Sequence, residues 1–233
     1  MTHIEAFDCA ITRCRPAKRA NRFARTLWVG LAVLIPSTAL AQDVQLPDAA
    51  KTGDLEVIRS LLARGVDVNM KNADGRTALM EAAYWGRLDA AKVLLEKGAD
   101  VNSKDKEERT ALIDASANGH VQVVQVLLEK GVNLNAKTKD GASAVSEAAA
   151  NNRVEVLKAL IEKGANVDEK DKEGRTPLTL AAYWGHVEAT QFLIEKGASV
   201  GVKDRYGYTP LMYAKRENHP NVVELLTKAG TKP

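Results

Sequence analysis

The stretch Lys172 to Asp204, KEGRTPLTLAAYWGHVEATQFLIEKGASVGVKD, recurs in variant form along most of the chain, and its period decides the architecture. Its clearest marker is a glycine: Gly65, Gly98, Gly131, Gly164, Gly197 and Gly230 follow one another at 33 residues with no insertion or deletion. A fixed period of this length signals a stacked solenoid, in which one helical unit cannot cover its own apolar face and buries it against the next copy. Within the copy, Thr176 is a good N-cap and Pro177 suits the first helical position, where a missing N–H has no intrahelical partner to lose. A first helix therefore starts there and ends at Gly185, and a second runs from His186 toward Gly197. Val187, Thr190, Leu193 and Ile194 share a face of that second helix, as do Val121, Val124, Leu127 and Leu128 of another copy.

Thr176-Pro177-Leu178, Ala181-Ala182, Gly185-His186 and the run Leu193 to Ala198 match the ankyrin-repeat pattern position by position, so the chain resembles that family over nearly all of residues 46–233. The expected fold class is an all-α solenoid of about six helix-turn-helix repeats joined by short β-hairpin loops. Leu46 to Asn69 reads as an N-terminal cap, with Pro47 opening a short first helix and Leu55 to Leu62 forming a second; the polar sixth copy, opening with Thr209-Pro210-Leu211, reads as the other cap. Three departures stand out. Glu108 occupies the place of the turn glycines Gly75, Gly141, Gly174 and Gly207, which predicts a strained or remodelled turn. Asn152 replaces the glycine between two helices and is the next best residue for a left-handed cap. The family's histidine after Thr-Pro-Leu is replaced by Met80, Ile113, Ser146, Thr179 and Met212, removing an expected polar link between repeats.

Residues 1–41 read as a secretory signal, followed by a short linker over 42–45. Arg13, Arg15, Lys18, Arg19, Arg22 and Arg25 make a basic region, Leu27 to Ile35 an apolar one, and Ala39-Leu40-Ala41 a cleavage site before Gln42. The formal charge of +3 belongs to this leader: without its six basic and two acidic residues, 27 cations face 28 anions, a charge of −1. Nothing in that balance calls for a nucleic-acid partner. Both cysteines, Cys9 and Cys14, lie in the leader, so the mature chain cannot mispair thiols in an oxidising compartment. With no Asn-x-Ser/Thr acceptor in the mature chain, the destination reads as a bacterial periplasm, the alternative being an uncleaved leader anchoring the protein in the inner membrane. After cleavage no membrane contact and a monomer are expected.

No chemical constellation emerges. His120, His186 and His219 fall at one repeat position, which assigns them to packing near the inter-helix turn. Asp105, Glu107, Glu108, Asp171 and Glu173 alternate with lysines on turn tips, which predicts a solvated mixed-sign edge without the burial a catalytic carboxylate needs. Lys71, Lys104, Lys137, Lys170 and Lys203 form a ladder offset by those acids. There is no phosphate loop, nucleophile elbow or metal spacing, so no catalytic, cofactor or metal residue is expected, and a hydrolase with an unrecognised site is the remotest reading.

Resemblance to the family implies that the turn tips and the outward side of the first helices form a concave surface that holds a partner protein. The matching positions are Tyr84-Trp85, Ala117-Asn118, Ala150-Asn151, Tyr183-Trp184 and Arg216-Glu217 on the helices, and Asp74, Arg76, Arg109, Arg175, Arg205, Tyr206 and Tyr208 on the turns. Of eight aromatic residues after the leader, six fall on these positions, Tyr213 lies beside them, and Phe192 alone sits in a second helix. Trp, Tyr and Arg are the residues that anchor interfaces. The competing reading is that each Tyr-Trp pair fills space between first helices. The sequence thus points to a non-catalytic module gripping a folded envelope protein, as a scaffold or as an inhibitor of an envelope-acting toxin, with an accessory role to a periplasmic enzyme in stress defence as the alternative.

Overall fold

The computed structural model describes residues 45–230; the expected leader, its cleavage point and most of the linker lie outside them. Twelve helices form six consecutive pairs among the described residues. They are α1 (Leu46–Thr52) with α2 (Leu55–Ala63), α3 (Ala78–Tyr84) with α4 (Leu88–Glu96), and α5 (Ala111–Asn118) with α6 (Val121–Glu129). The remaining pairs are α7 (Ala144–Ala150) with α8 (Val154–Glu162), α9 (Pro177–Tyr183) with α10 (Val187–Glu195), and α11 (Pro210–Arg216) with α12 (Pro220–Gly230).

Each first helix from α3 onward starts where the sequence places a hydroxyl. Thr77, Thr110, Ser143, Thr176 and Thr209 have extended backbones, and their side chains accept from the amides of Met80, Ile113, Ser146, Thr179 and Met212. Those five amide donors are the positions that lack the family histidine. In α7 and α9 the hydroxyls of Ser146 and Thr179 reach back to the cap residue's amide and close a capping box, so they stabilise their own helix start.

The apolar stripe repeats as columns. Leu94, Leu127, Leu160 and Leu193 are fully buried at one register, with Leu61 and Leu226 nearly so at the two ends. Each such leucine contributes about 1.5–3 kcal/mol by leaving water. A second column, Ala49, Ala82, Ala115, Ala148, Ala181 and Ala214, is equally buried and lets successive first helices approach closely. Met212 in the last described first helix is 48% exposed where its counterparts Met80 and Ile113 are buried, because among the described residues no further helix pair covers it.

Polar bonds between repeats run at fixed sequence offsets. Nε2 of His120, His186 and His219 lies 3.0 Å from the carbonyl oxygens of Tyr84, Ala150 and Tyr183, so all three histidines are structural. Arg87 and Arg153 take the same place in the other repeats, their Nε donating to Lys51 O at 3.1 Å and Ala117 O at 3.2 Å. The histidine ring packs so tightly on the preceding repeat that a side chain on Gly86 would bring its Cβ within 2.5 Å of His120 Nδ1. On the turn side, Lys71 Nζ donates to Lys104 O and Lys137 Nζ to Lys170 O, at 2.8 and 2.9 Å. Part of the lysine ladder therefore ties neighbouring turns together.

The loops close as hairpin-type turns without flanking strands. Among the described residues there is one isolated antiparallel bridge, Lys71 to Thr77, and no strand. Side-chain acceptors reinforce the backbone bonds of these turns: Asp105 Oδ1 takes the amides of Glu107 and Arg109, Asp171 Oδ1 those of Glu173 and Arg175, and Asp204 Oδ1 those of Tyr206 and Tyr208, at 2.9–3.0 Å. With its turn closed by Asp105, Glu108 keeps the glycine geometry at φ 59°, and Asn152 does the same at φ 54°. The turn is strained but not remodelled. Glu108→Gly removes that left-handed strain for the loss of one exposed ion pair with Lys104. We expect it to stabilise the fold by about 1 kcal/mol in urea titration; an unchanged or lower midpoint would show the turn to be unstrained.

Burial lowers the pKa of His120 and His186, with Arg153 acting in the same direction and the carbonyl bonds opposing. The folded state therefore binds fewer protons than the unfolded chain from about pH 6.5 downward. Stability present above that window is lost as pH falls through it. Arg87 and Arg153 make the same carbonyl bond through a guanidinium. The double variant His120→Arg, His186→Arg is expected to lose less melting temperature than wild type between about pH 7.5 and 5. An equal loss in both proteins refutes it.

Candidate functional site

The turn residues and outward sides of the first helices carry two registers that face each other. The residue after each turn reads Arg76, Arg109, Ala142, Arg175, Tyr208, and the fourth residue of each first helix reads Glu81, Asp114, Glu147, Leu180, Tyr213. Arg76 Nε donates to Glu81 Oε1 at 2.7 Å, and its Nη1 lies 3.2 Å from Asp105 Oδ2 in the next repeat. Arg76 Nη2 lies 2.8 Å from Asp114 Oδ2 but off the line of a directed hydrogen bond, so that contact is chiefly Coulombic. Arg109 repeats the pattern, with Nε 2.7 Å from Asp114 Oδ1 and Nη1 3.1 Å from Glu147 Oε1. Each arginine thus bridges its own repeat's acid to the following one.

These carboxylates lie deep. Asp114 is fully buried and Glu147 is 4% exposed. Burial raises the pKa of Glu147, Asp114 pushes the same way, and Arg109 opposes both. Burial by itself would lower the pKa of Arg109, but Asp114 and Glu147 reverse this and raise it. Sequence reasoning assigned acids only to a solvated edge; the structure corrects that for Asp105 and Asp171, whose side chains turn inward to their turn amides, and it adds Glu81, Asp114 and Glu147. The available signal was an acid five residues after the turn arginine, repeated in the next copy.

Arg76, Arg109 and Arg175 fall on the expected face, but their guanidiniums are committed within the protein. Arg175 Nε donates to Asp171 Oδ2 at 2.7 Å, with Leu180 where an acid stands in earlier repeats. Asn118 and Asn151 turn their amides onto Asp114 O and Glu147 O of their own helices, at 2.9 and 2.8 Å.

The aromatic residues divide between the two ends. Tyr84 and Trp85 meet edge to face with centroids 5.2 Å apart, Lys51 lies over the Trp85 ring, and Arg76 lies over Tyr84. Tyr183 and Trp184 make the equivalent pair at 5.0 Å. Trp85 is 44% exposed, whereas Tyr84, Tyr183 and Trp184 are half-buried. Toward the C-terminus Tyr213 is fully buried, its hydroxyl donating to Asp204 Oδ2 at 2.5 Å, and burial followed by this bond raises its pKa. Arg216 lies over the rings of Tyr183, Tyr208 and Tyr213 at 5.0–5.7 Å. The exposed Tyr206 donates from its hydroxyl to Glu173 Oε2 at 2.9 Å. Among the described residues no cluster of His, Cys, Asp and Glu could hold a metal, and no helix is long and apolar enough to cross a membrane.

A family model described as ankyrin repeats in three copies matches residues 46–138 and 145–233, more than half of the chain. The chain belongs to the ankyrin-repeat family. The crystal structure of the human ASB11 ankyrin repeat domain superposes with a TM-score of 0.74 at 33% identity, covering 81% of this chain and 85% of that one. No curated protein matches. Ankyrin repeats are protein–protein interaction modules, generally non-catalytic, and the all-helical solenoid read from the 33-residue period is the fold found.

Removing Arg109 leaves Asp114 with one cation and Glu147 with none of its present partners. Arg109→Ala is therefore expected to destabilise by about 3 kcal/mol, the scale of a broken buried pair. Arg175→Ala is expected to cost less, because Asp171 keeps its two amide donors. Urea unfolding of both variants checks the order, and equal losses would contradict it.

Proposed function

We propose that this chain is an exported, non-catalytic binding module of the bacterial periplasm that grips one folded protein on the face formed by its turns and first helices. The observation that carries the reading is the matched aromatic pairs, Tyr84 with Trp85 and Tyr183 with Trp184, at one register three repeats apart. At helix packing distances they stand roughly 30 Å apart along the face. Between them the corresponding positions hold Ala117-Asn118 and Ala150-Asn151. The surface has two raised aromatic ends and a low middle, which suits a convex element of a folded partner. Scaffolding of an envelope protein and neutralisation of an envelope-acting toxin both fit this geometry.

Tyr84 and Tyr183 are half-buried and each leans on its tryptophan, which supports a structural share for the tyrosines and leaves Trp85 as the outermost contact. Trp85→Ala is expected to weaken capture of a stoichiometric partner from envelope extracts about thirtyfold, the scale of an interface hot spot. Its melting temperature is expected to stay within a degree or two of wild type, as for other exposed positions. A large fall in melting temperature with capture intact would make the pair a packing element and remove the reading.

A further inference from the structure

The arginine–carboxylate ladder stops one cation short. In the second and third repeats the residue after the turn is an arginine whose Nε lies 2.7 Å from the carboxylate of its own first helix, Glu81 or Asp114. In the fourth repeat that residue is Ala142, partly exposed, while the first helix still carries Glu147. Three first-helix carboxylates, Glu81, Asp114 and Glu147, therefore share two guanidiniums, Arg76 and Arg109. Asp114 is touched by both arginines, Glu147 by Arg109 alone. Arg109 reaches Glu147 Oε1, and no hydrogen bond among the described residues reaches Oε2. Oε2 is unbonded without being sealed from solvent, unlike Asp114 Oδ2, so a donor arriving from outside can reach it.

We propose that the position beside Ala142, where the neighbouring repeats carry an arginine, is the subsite for an arginine side chain of the bound protein, whose guanidinium pairs with Glu147 as Arg76 pairs with Glu81 and Arg109 with Asp114. The two neighbouring repeats are the template. Their geometry is that of a planar fork, one N–H on the repeat's own carboxylate and the others on the next repeat or a backbone carbonyl, as Arg76 Nη2 shows with Met80 O at 3.3 Å. A lysine ammonium lacks that fork. That position lies in the middle of the face, between the repeats that carry Tyr84-Trp85 and Tyr183-Trp184, where an interface anchor is most completely dried. Charge agrees with the assignment: the open position is anionic and the missing group is a cation. Burial of Glu147, which raises its pKa, is the penalty such a ligand relieves.

This inference rests on the reading of the face as a protein-binding surface and names the group that fills its centre. The probe is the peptide acetyl-Gly-Arg-Gly-amide, titrated into the full chain while the Glu147 side-chain carbonyl is followed by NMR, with the citrulline and lysine peptides alongside. Saturable binding is expected for the arginine peptide, with the Glu147 pKa drawn down on saturation. The affinity is expected to fall about tenfold or more for citrulline and in Glu147→Gln. Ala142→Arg supplies the group in cis; it is expected to raise the melting temperature and abolish the peptide response. No saturable response at Glu147, or an equal response to citrulline, or an undiminished one in Ala142→Arg, overturns the subsite. Glu147→Gln carries the test should Ala142→Arg fold poorly. None of these failures touches the binding face as a whole, which stands or falls on Trp85→Ala.

Discussion

The structure depends on polar bonds that each repeat makes to its neighbour at a fixed distance in sequence. Asn69 Oδ1 accepts the amide of Asp100, and Asn102 Oδ1 that of Asn133, both 31 residues on. Lysine tips reach a carbonyl 33 residues away, and histidine or arginine rings and forks one 36 residues away. Apolar columns attract without direction and would tolerate a slip of a helix along its neighbour; these bonds do not. A single inserted residue would break the set on one side of its repeat. That constraint explains why the glycine ladder runs from Gly65 to Gly230 without interruption while the residues between diverge.

Most of the fold was legible because its signals are local and repeated. Caps, the Gly185-type stops and the leucine column are each fixed by a residue type whose physics does not depend on its neighbours, and α1 to α12 follow from them. The loops keep the turn of a hairpin without its strands, each closed by a backbone bond such as Asp105 N–H to Arg109 O or Asp171 N–H to Arg175 O. What reinforces them is an aspartate accepting two amides, a role that leaves no pairing pattern in sequence. Glu108 went the other way: the aspartate holds the turn so firmly that a non-glycine residue is carried into the left-handed region.

The face was legible only in outline. Position alone put Arg76, Arg109 and Arg175 on it, and they are there, but the direction of a long side chain is set by the charges within its reach. Those charges sit one repeat away and in the first helices, at Glu81, Asp114 and Glu147, where a glutamate or aspartate surrounded by alanines looks like an ordinary helix former. Tyr213 was hidden for a related reason. Only its depth and its bond to Asp204 separate it from Tyr208 five residues earlier, and neither is a property of its own position.

The ladder also changes how the repeats combine. For apolar columns, stability is close to a sum over repeats and nearest interfaces. Arg76 and Arg109 share Asp114, and Arg109 shares its charge between Asp114 and Glu147, so the second, third and fourth repeats form one electrostatic block in which deletions cannot add. The block ends where Leu180 replaces the acid, and from there aromatic contacts of Tyr183, Tyr208 and Tyr213 with Arg216 take over the same two registers. Buried ion pairs add little net stability over an apolar alternative, but they are directional and punish misalignment. In the second to fourth repeats both neighbours can fix their geometry, while tyrosine–arginine contacts fill the same registers toward the C-terminus. The repeats are alike in backbone and are not interchangeable, because each ionic or aromatic contact requires its own neighbour.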